Sequence, residues 1–452
     1  MCSSIEAQLG GVQGVSGMAW QCGVEPRVSP ATAVASRRPG QVDYDGRNMT
    51  RLSARPGSSH PGSSTPALWS LCLAYFTMGT SSIAVVGLVH PMAADLGVSK
   101  PDIAVLITVF ALTFALAAPL LQVAAGSLPR RTLLLCGLVV MATGCLLSAL
   151  APGYAGVVAA RVLMALGAAA VGPVASGLGA GLVPPERQGH ALAVVFGGMT
   201  LASVLGLPLT SWLGVWLGWR WMFGGLALLG LLTALAIALL VGDRRRAPGT
   251  TLASFAQVFR QRAAAWSVAM SVCHMSAQFA LFALVAPFLQ ERFGLAPGQL
   301  SFALLVGGMS GVAGNLLAGR LGDRLGAPRS LQLSVLGMAS ASVALLWLPG
   351  QPWLGLAAYG FWSMAGMSFY APQQKRLIGL APDLRNLLLA INASALYVGM
   401  SVGAAAGSQA WLHLGPWSLP AVALGFTGCS LASFLLSRRA ERGAASASAS
   451  PP

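Results

Sequence analysis

Charge is scarce in this sequence. Only 9% of its 452 residues are Asp, Glu, Lys or Arg, against 55% hydrophobic, whereas a water-facing surface normally needs about 25% charged residues. A soluble fold of this length is thereby excluded. Acid is scarcer still: 12 carboxylates stand beside 27 Lys and Arg, and none lies in the middle of an apolar tract. Cysteine is thin and scattered. The 7 cysteines (Cys2, Cys22, Cys72, Cys136, Cys145, Cys273 and Cys429) form no CxxC or other metal-type spacing, so they read as small packing residues, neither a disulfide framework nor a metal site. No nucleophile–base constellation, metal cluster or phosphate loop is present. Neither an enzyme nor a cofactor is expected, and ATP drive would need a separate partner.

What the chain has instead is long apolar tracts. They place twelve spans at 67–90, 101–125, 132–151, 154–182, 191–214 and 221–242, then at 265–289, 298–319, 330–348, 353–374, 387–412 and 417–437. Most approach the ~20 residues that cross ~30 Å of hydrocarbon at 1.5 Å per residue. Of the 55 Gly, most lie inside these tracts, where small residues allow close helix contact, and a few of the 27 Pro do as well. The expected fold class is an all-α membrane protein of twelve transmembrane helices.

The net charge of +15 is topological. If the N-terminus is cytoplasmic, the cytoplasmic loops hold Arg130, Arg131, Arg187, Arg244 to Arg246, Arg320, Arg324, Arg329 and most other basic residues, while the opposite loops hold only Lys100, Arg220 and Arg292. That positive-inside bias places both termini in the cytoplasm of a bacterial inner membrane, and it argues against nucleic acid as a partner. Residues 1–64 are rich in Ser, Gly, Pro and Arg with no apolar run. A disordered cytoplasmic tail is expected there, with Met49 an alternative start. Residues 438–452 form a second expected tail, with disorder from Ala444 onward.

The spans repeat. Blocks 65–242 and 265–437 flank an Arg-rich cytoplasmic linker, 243–264, and an offset of 196 residues sets Leu88, Val89 and Pro91 on Leu284, Val285 and Pro287, Asp95 on Glu291, and Pro101 on Pro297. A duplicated six-helix unit follows, with a substrate expected near the midplane between the halves. Trp69 and Trp266 on one side, and Trp216, Trp219, Trp353, Trp411 and Trp417 on the other, read as interfacial anchors. Trp362 lies deeper and is a cavity candidate.

Three motifs carry a resemblance. Gly319–Arg320–Leu321–Gly322–Asp323–Arg324–Leu325–Gly326, placed in a loop after the eighth span, is similar to G-x-L-x-D-R-x-G. Gly126–Ser127–Leu128–Pro129–Arg130–Arg131 is its first-half counterpart without the acid. In the fourth span Arg161 opens Arg161–Val162–Leu163–Met164–Ala165–Leu166–Gly167, like R-x-x-q-G-x-g, and Gly197, Gly198, Gly206, Pro208 and Gly214 line the fifth. The chain thus resembles the major facilitator superfamily, in its drug:proton antiporter branch, closest to bacterial multidrug and sugar efflux proteins, over about residues 65–437. The resemblance implies two pseudo-symmetric six-helix bundles that alternate access, with a cytoplasmic gate of Gly126, Arg130, Gly319, Asp323, Arg324 and Gly326. It also implies packing motifs of Gly197, Gly206 and Pro208, matched by Gly399, Gly403 and Gly407.

One departure is plain. Where relatives often carry a carboxylate in the first span, this chain has Gly79–Thr80–Ser81–Ser82–Ile83. His274 and Asp102 are the remaining titratable candidates in the membrane. Polar groups on apolar spans nominate the substrate cavity: Thr80, Ser81, Thr113 and Arg161 from the first half, and His274, Gln278, Tyr370, Gln373, Asn392 and Tyr397 from the second. His274 and Gln278 are four residues apart and share a helix face. With no counter-charge for a cation, a neutral or anionic amphiphile or a sugar-like molecule is the expected substrate. The expectation is a monomeric secondary-active exporter of a small molecule, with protons as the candidate coupling ion; an uncoupled facilitator or importer, or a non-transporting receptor, are the alternatives.

Overall fold

An apolar helix satisfies its own backbone, which is why a chain of this composition folds in a bilayer as helices. The computed structural model describes residues 64–124, 128–184, 187–242, 261–381 and 385–449. Among these the elements are helical throughout: α1 (Ser64–Leu96), α2 (Lys100–Ala124), α3 (Arg130–Leu150), α4 (Tyr154–Gly181), α5 (Gln188–Leu201), a π-helical turn Ala202–Gly206, α6 (Leu207–Trp216) and α7 (Trp219–Leu240). The second half continues with α8 (Arg262–Phe282), α9 (Val285–Phe293), α10 (Leu300–Leu325), α11 (Ala327–Trp347), α12 (Pro352–Met367), α13 (Tyr370–Leu380), α14 (Arg385–Leu414) and α15 (Ser418–Ala449). Ten helices among the described residues are long and apolar enough to span a membrane, and the pair α8 and α9, bent by 54°, makes an eleventh. The expected tenth span is the pair α12 and α13, broken at Ser368–Phe369. Twelve helical rods are consistent with the expected count. The N-terminal tail up to residue 63 and linker residues 243–260 lie outside the described residues.

The duplication shows in the chain's local chemistry. Gly97, in the left-handed region at φ 66°, ends α1, and the Val98 N–H closes the turn on the Ala93 carbonyl at 3.2 Å. Gly294, at φ 68°, ends α9 at the matching place. The next helix then starts on a side-chain cap in each half. Asp102 accepts the Ser99 N–H at 3.0 Å, while Gln299 accepts the Ala296 N–H at 3.0 Å. The Ser99–Asp102 pair is a capping box that satisfies donors a helix start leaves free. This assigns Asp102 a structural role, in place of the membrane proton site considered from sequence.

Glycine decides which helices touch. A Cβ on Gly198 would strike the Cys72 carbonyl of α1, one on Gly206 would strike Thr80, and one on Gly214 would strike Leu88. In the second half Gly399, Gly403 and Gly407 abut the carbonyls of Val272, Ser276 and Ala280 on α8. Spacing by four aligns the second set on one face, and the first set recurs at twice that spacing. The fifth span therefore packs on the first, and the eleventh on the seventh, within their own halves. The packing motif thus joins helices inside each half, at Gly206, Gly399, Gly403 and Gly407. Gly197 also departs from the motif, since a Cβ there meets open space; its neighbour Gly198 makes the contact. The half-buried Pro208 follows the π-helical turn, where its missing N–H breaks the regular ladder.

Two further expectations change. Gly319 to Leu325 are the last turns of α10, so the motif is helical and Gly326, at φ 80°, makes the turn alone. The C-terminal tail continues α15 as helix to Ala449. Its Ala-rich sequence favours helix, and Glu441 ties it to Arg376 at 3.3 Å.

Gly403→Leu is expected to cost about 1–3 kcal/mol by overpacking against Ser276, read as a lower melting temperature in detergent. Gly197→Ala should leave that temperature unchanged.

Candidate functional site

A polar stripe runs down α8. Ser267, Ser271, His274 and Gln278 recur at helical spacing and are all buried. They face the break between α12 and α13, where the helix frees carbonyls that hydrocarbon cannot satisfy. Ser334 donates to the Ala365 carbonyl at 2.8 Å, and His274 Nε2 lies 2.9 Å from the Gly366 carbonyl. Because a carbonyl only accepts, Nε2 carries the proton. The imidazole stacks on Phe369 with ring centres 3.9 Å apart, and Nδ1 is buried with no hydrogen-bond partner among the described residues. Below the break, Tyr370 donates to Gln278 Oε1 at 3.1 Å, and Gln373 donates to Ser271 Oγ at 2.9 Å. Ser271 in turn donates to Asn392 Oδ1 at 2.6 Å. The second-half candidates His274, Gln278, Tyr370, Gln373 and Asn392 thus come together along one side of α8, in three hydrogen-bonded groups: His274 with the Gly366 carbonyl, Tyr370 with Gln278, and Gln373 with Ser271 and Asn392.

The first-half candidates form a separate group. Arg161 is fully buried, and its guanidinium donates to the carbonyls of Ser81 at 2.8 Å and Ser82 at 2.9 Å, with Leu106 at 3.4 Å. Phe110 lies against its face at 4.8 Å. A cation in a membrane interior needs such partners, and these are backbone oxygens. Arg161 therefore clasps α1 and α2 to α4. Thr80 packs on Gly206, and its buried hydroxyl has no partner.

Between the two groups lies an aromatic seam where the halves meet. Tyr397 of α14 stacks on Phe114 of α2 with centroids 3.7 Å apart and planes 22° apart. Thr108 of α2 donates to the Ser401 carbonyl of α14 at 3.4 Å. Tyr75 and Tyr370 are both electrostatic neighbours of Tyr397. The half-buried Thr113 adjoins Phe114. Related by the pseudo-symmetry, Gly308 of α10 abuts the Ser203 carbonyl in the π-helical turn. Sequence reasoning missed Tyr75 and Phe114, because an aromatic residue in an apolar span looks like any other core residue. Trp362 is no cavity residue: it is 1% exposed and stacks on Tyr359 in the core. Trp219 is likewise buried, donating to Asp95 at 3.1 Å.

At one end of the bundle Lys100 of α2 pairs with Glu291 of α9 at 2.7 Å, joining the halves. Asp95 pairs with Arg220 at that same end. At the other end, Arg130 reaches over Gly177, where a Cβ would meet its guanidinium, and Gly319 and Arg324 are exposed. Gly126 and the side chain of Asp323 lie outside the described residues.

A sequence profile of the Major Facilitator Superfamily matches residues 71–404. An uncharacterized MFS-type transporter of Bacillus subtilis (strain 168), YbcL, is 30% identical over 346 residues, covering 76% of this chain and 88% of the relative. The fold is similar to a mutant of the peptide transporter POT, with TM-score 0.70 at 14% identity over 83% of this chain and 94% of that one. It is also similar to a bacterial homolog of the human lysosomal transporter Spinster, in an inward-facing and unoccupied conformation. There the TM-score is 0.64 at 15% identity, over 84% and 96% of the two chains.

His274→Ala removes the side-chain donor to the Gly366 carbonyl, leaving it the Phe369 N–H at 3.4 Å, and is expected to destabilise the fold by about 1 kcal/mol. His274→Gln, which keeps a donor, should recover part of that loss in a detergent melt. Equal melting of the two variants would show that the hydrogen bond contributes nothing.

Proposed function

The chain belongs to the Major Facilitator Superfamily, and we propose that it is a secondary-active exporter of a small neutral or anionic amphiphile or sugar-like molecule. The observation that carries this reading is the seam. The halves meet through two pseudo-symmetric helix pairs, α2 with α14 and α10 with the π-helical turn and α6, and Lys100–Glu291 ties one end. Rocking about such a seam alternately exposes groups near it. The proposed substrate contacts are Tyr75, Phe114, Tyr370, Tyr397 and Gln278, with stacking from the rings and hydrogen bonding from Gln278. The Arg-rich end is read as cytoplasmic, with the Lys100–Glu291 end outside. Gly126, Arg130, Gly319, Asp323, Arg324 and Gly326 form the proposed inner gate.

Membership in the drug:proton antiporter branch, and with it proton-driven export, rests on the motifs of Arg161 and the glycine-rich fifth span. A second reading, the uncoupled facilitator, is favoured by a specific observation. The carboxylates of Asp95, Asp102, Glu291 and Glu441 all sit near helix ends, bound to Arg220, Ser99, Lys100 and Arg376 respectively. The receptor alternative has no such support.

Inside-out vesicles with an imposed pH gradient, challenged with drugs, sugars and organic anions, separate these readings. Proton-coupled export predicts a substrate-specific collapse of the gradient. Flux without a pH response would replace the exporter with the facilitator, and binding without flux would refute both.

The outer tie makes its own prediction. An ion pair as exposed as Lys100–Glu291 is worth about 0–1 kcal/mol. Glu291→Gln is therefore expected to raise external thiol labelling of Thr113→Cys by up to about fivefold. The charge swap Lys100→Glu with Glu291→Lys should return labelling to its starting level.

A further inference from the structure

On the outward side of the second half, α10 and α12 leave a cleft of about 450 Å³, lined by Val306, Ser310, Trp353, Ala357, Gly360 and Met364. Its shape follows from glycine. Gly314 lets α10 touch the Met364 backbone, and Gly311 touches the Met367 side chain. Nearer the Pro352 end Gly360 still stands against Ser310 and Val306, so the cleft runs along the line where the two helices meet. Tyr359, 1% exposed, fills the space against Gly307, next to the lining residue Val306. The cleft therefore opens to the surroundings of the bundle and not to its interior. Those surroundings are hydrocarbon: Phe302, Met309, Trp353 and Phe361 are all large, apolar and exposed along this face.

We propose that this cleft is a binding site for one acyl chain of a bilayer phospholipid, taken from the leaflet at the Pro352 end. Three observations carry it. The lining of α12 runs from Trp353 to Met364, roughly 16 Å at 1.5 Å per residue, and one leaflet of hydrocarbon is about 15 Å deep. Spread over that length, 450 Å³ leaves a cross-section of roughly 27 Å². That is enough for one extended alkyl chain lying along the cleft. At the mouth, a shallower continuation past Leu295 and Phe302 brings the Gln299 amide beside the 70% exposed Trp353. Both carry donors at the depth where tryptophan meets headgroups, suited to the ester and phosphate oxygens of the lipid.

The test uses the full chain in nanodiscs of phosphatidylcholine whose acyl chain bears a photoreactive diazirine at a set depth. After irradiation, peptide mapping should find label on Ala357, Gly360 and Met364 several-fold above label at Leu239 of α7, which is 76% exposed with no such cleft. Ala357 is exposed, so Ala357→Phe fills the cleft without displacing the core and should bring its label down to the Leu239 level. Ala357→Leu, a smaller filler, should reduce it in part, and unchanged melting temperatures establish that both variants fold. Even labelling of the two faces, or cleft label that survives Ala357→Phe in a folded protein, would overturn the proposal. Protein–protein cross-links through α12 in place of lipid label would assign the cleft to a second copy instead. Transport is not read in this experiment, so its outcome is independent of the exporter reading.

Discussion

The carbonyls of Ala365 and Gly366 are released where the tenth span breaks, deep in a bundle that offers them no water. In hydrocarbon such a group costs several kcal/mol unless the protein supplies a donor, and much of the second half is arranged around that demand. Ser334 and Ser368 donate to the Ala365 carbonyl, and His274 with the Phe369 N–H answers Gly366. Once His274 is fixed on α8, the same helix face carries Ser267, Ser271 and Gln278 toward α13 and α14. The polar network is thus the consequence of a broken helix as much as a candidate substrate surface. The break separates α13, with Tyr370 and Gln373, from the rod above it, and those two side chains bond to α8 on their own account.

The first half meets a similar demand with a charge. Arg161 is buried with carbonyl oxygens as its hydrogen-bonding partners on α1 and α2. Removing a guanidinium from water is costly, and here dipoles and the Phe110 ring offset the cost without a counter-ion. The result is a fixed positive charge near Thr80 and Ser81, on the α1 stretch where relatives often carry an acid. The described carboxylates are kept instead for capping a helix or pairing near the bundle's ends. That electrostatic frame is what the proposal of a neutral or anionic solute rests on.

Much of this was legible in the sequence. Apolar length, the placement of Arg and Lys, and the duplication led to a twelve-span, two-half membrane fold, because bilayer thickness and backbone hydrogen bonding leave few options. The resemblance carried by Arg161 and the Gly-rich spans led to the superfamily. His274, Gln278, Tyr370, Gln373 and Asn392 were identifiable as polar residues in apolar spans, and they gather beside α8. Tyr75 and Phe114 were not identifiable, since nothing in the one-dimensional pattern separates a ring at a seam from a ring in a core.

What composition and periodicity determined was the set of helices, since each span forms from its own backbone hydrogen bonds and its own transfer into hydrocarbon. Tertiary structure decided what each helix touches. Gly399, Gly403 and Gly407 turned out to bind α14 to α8 within one half, Asp102 caps a helix start, and Gly319 to Leu325 continue a helix that was expected to loop. The physical reason is common to all three. A glycine, a carboxylate or a histidine has several ways to satisfy its backbone or its charge, and only the neighbour brought against it by packing selects one.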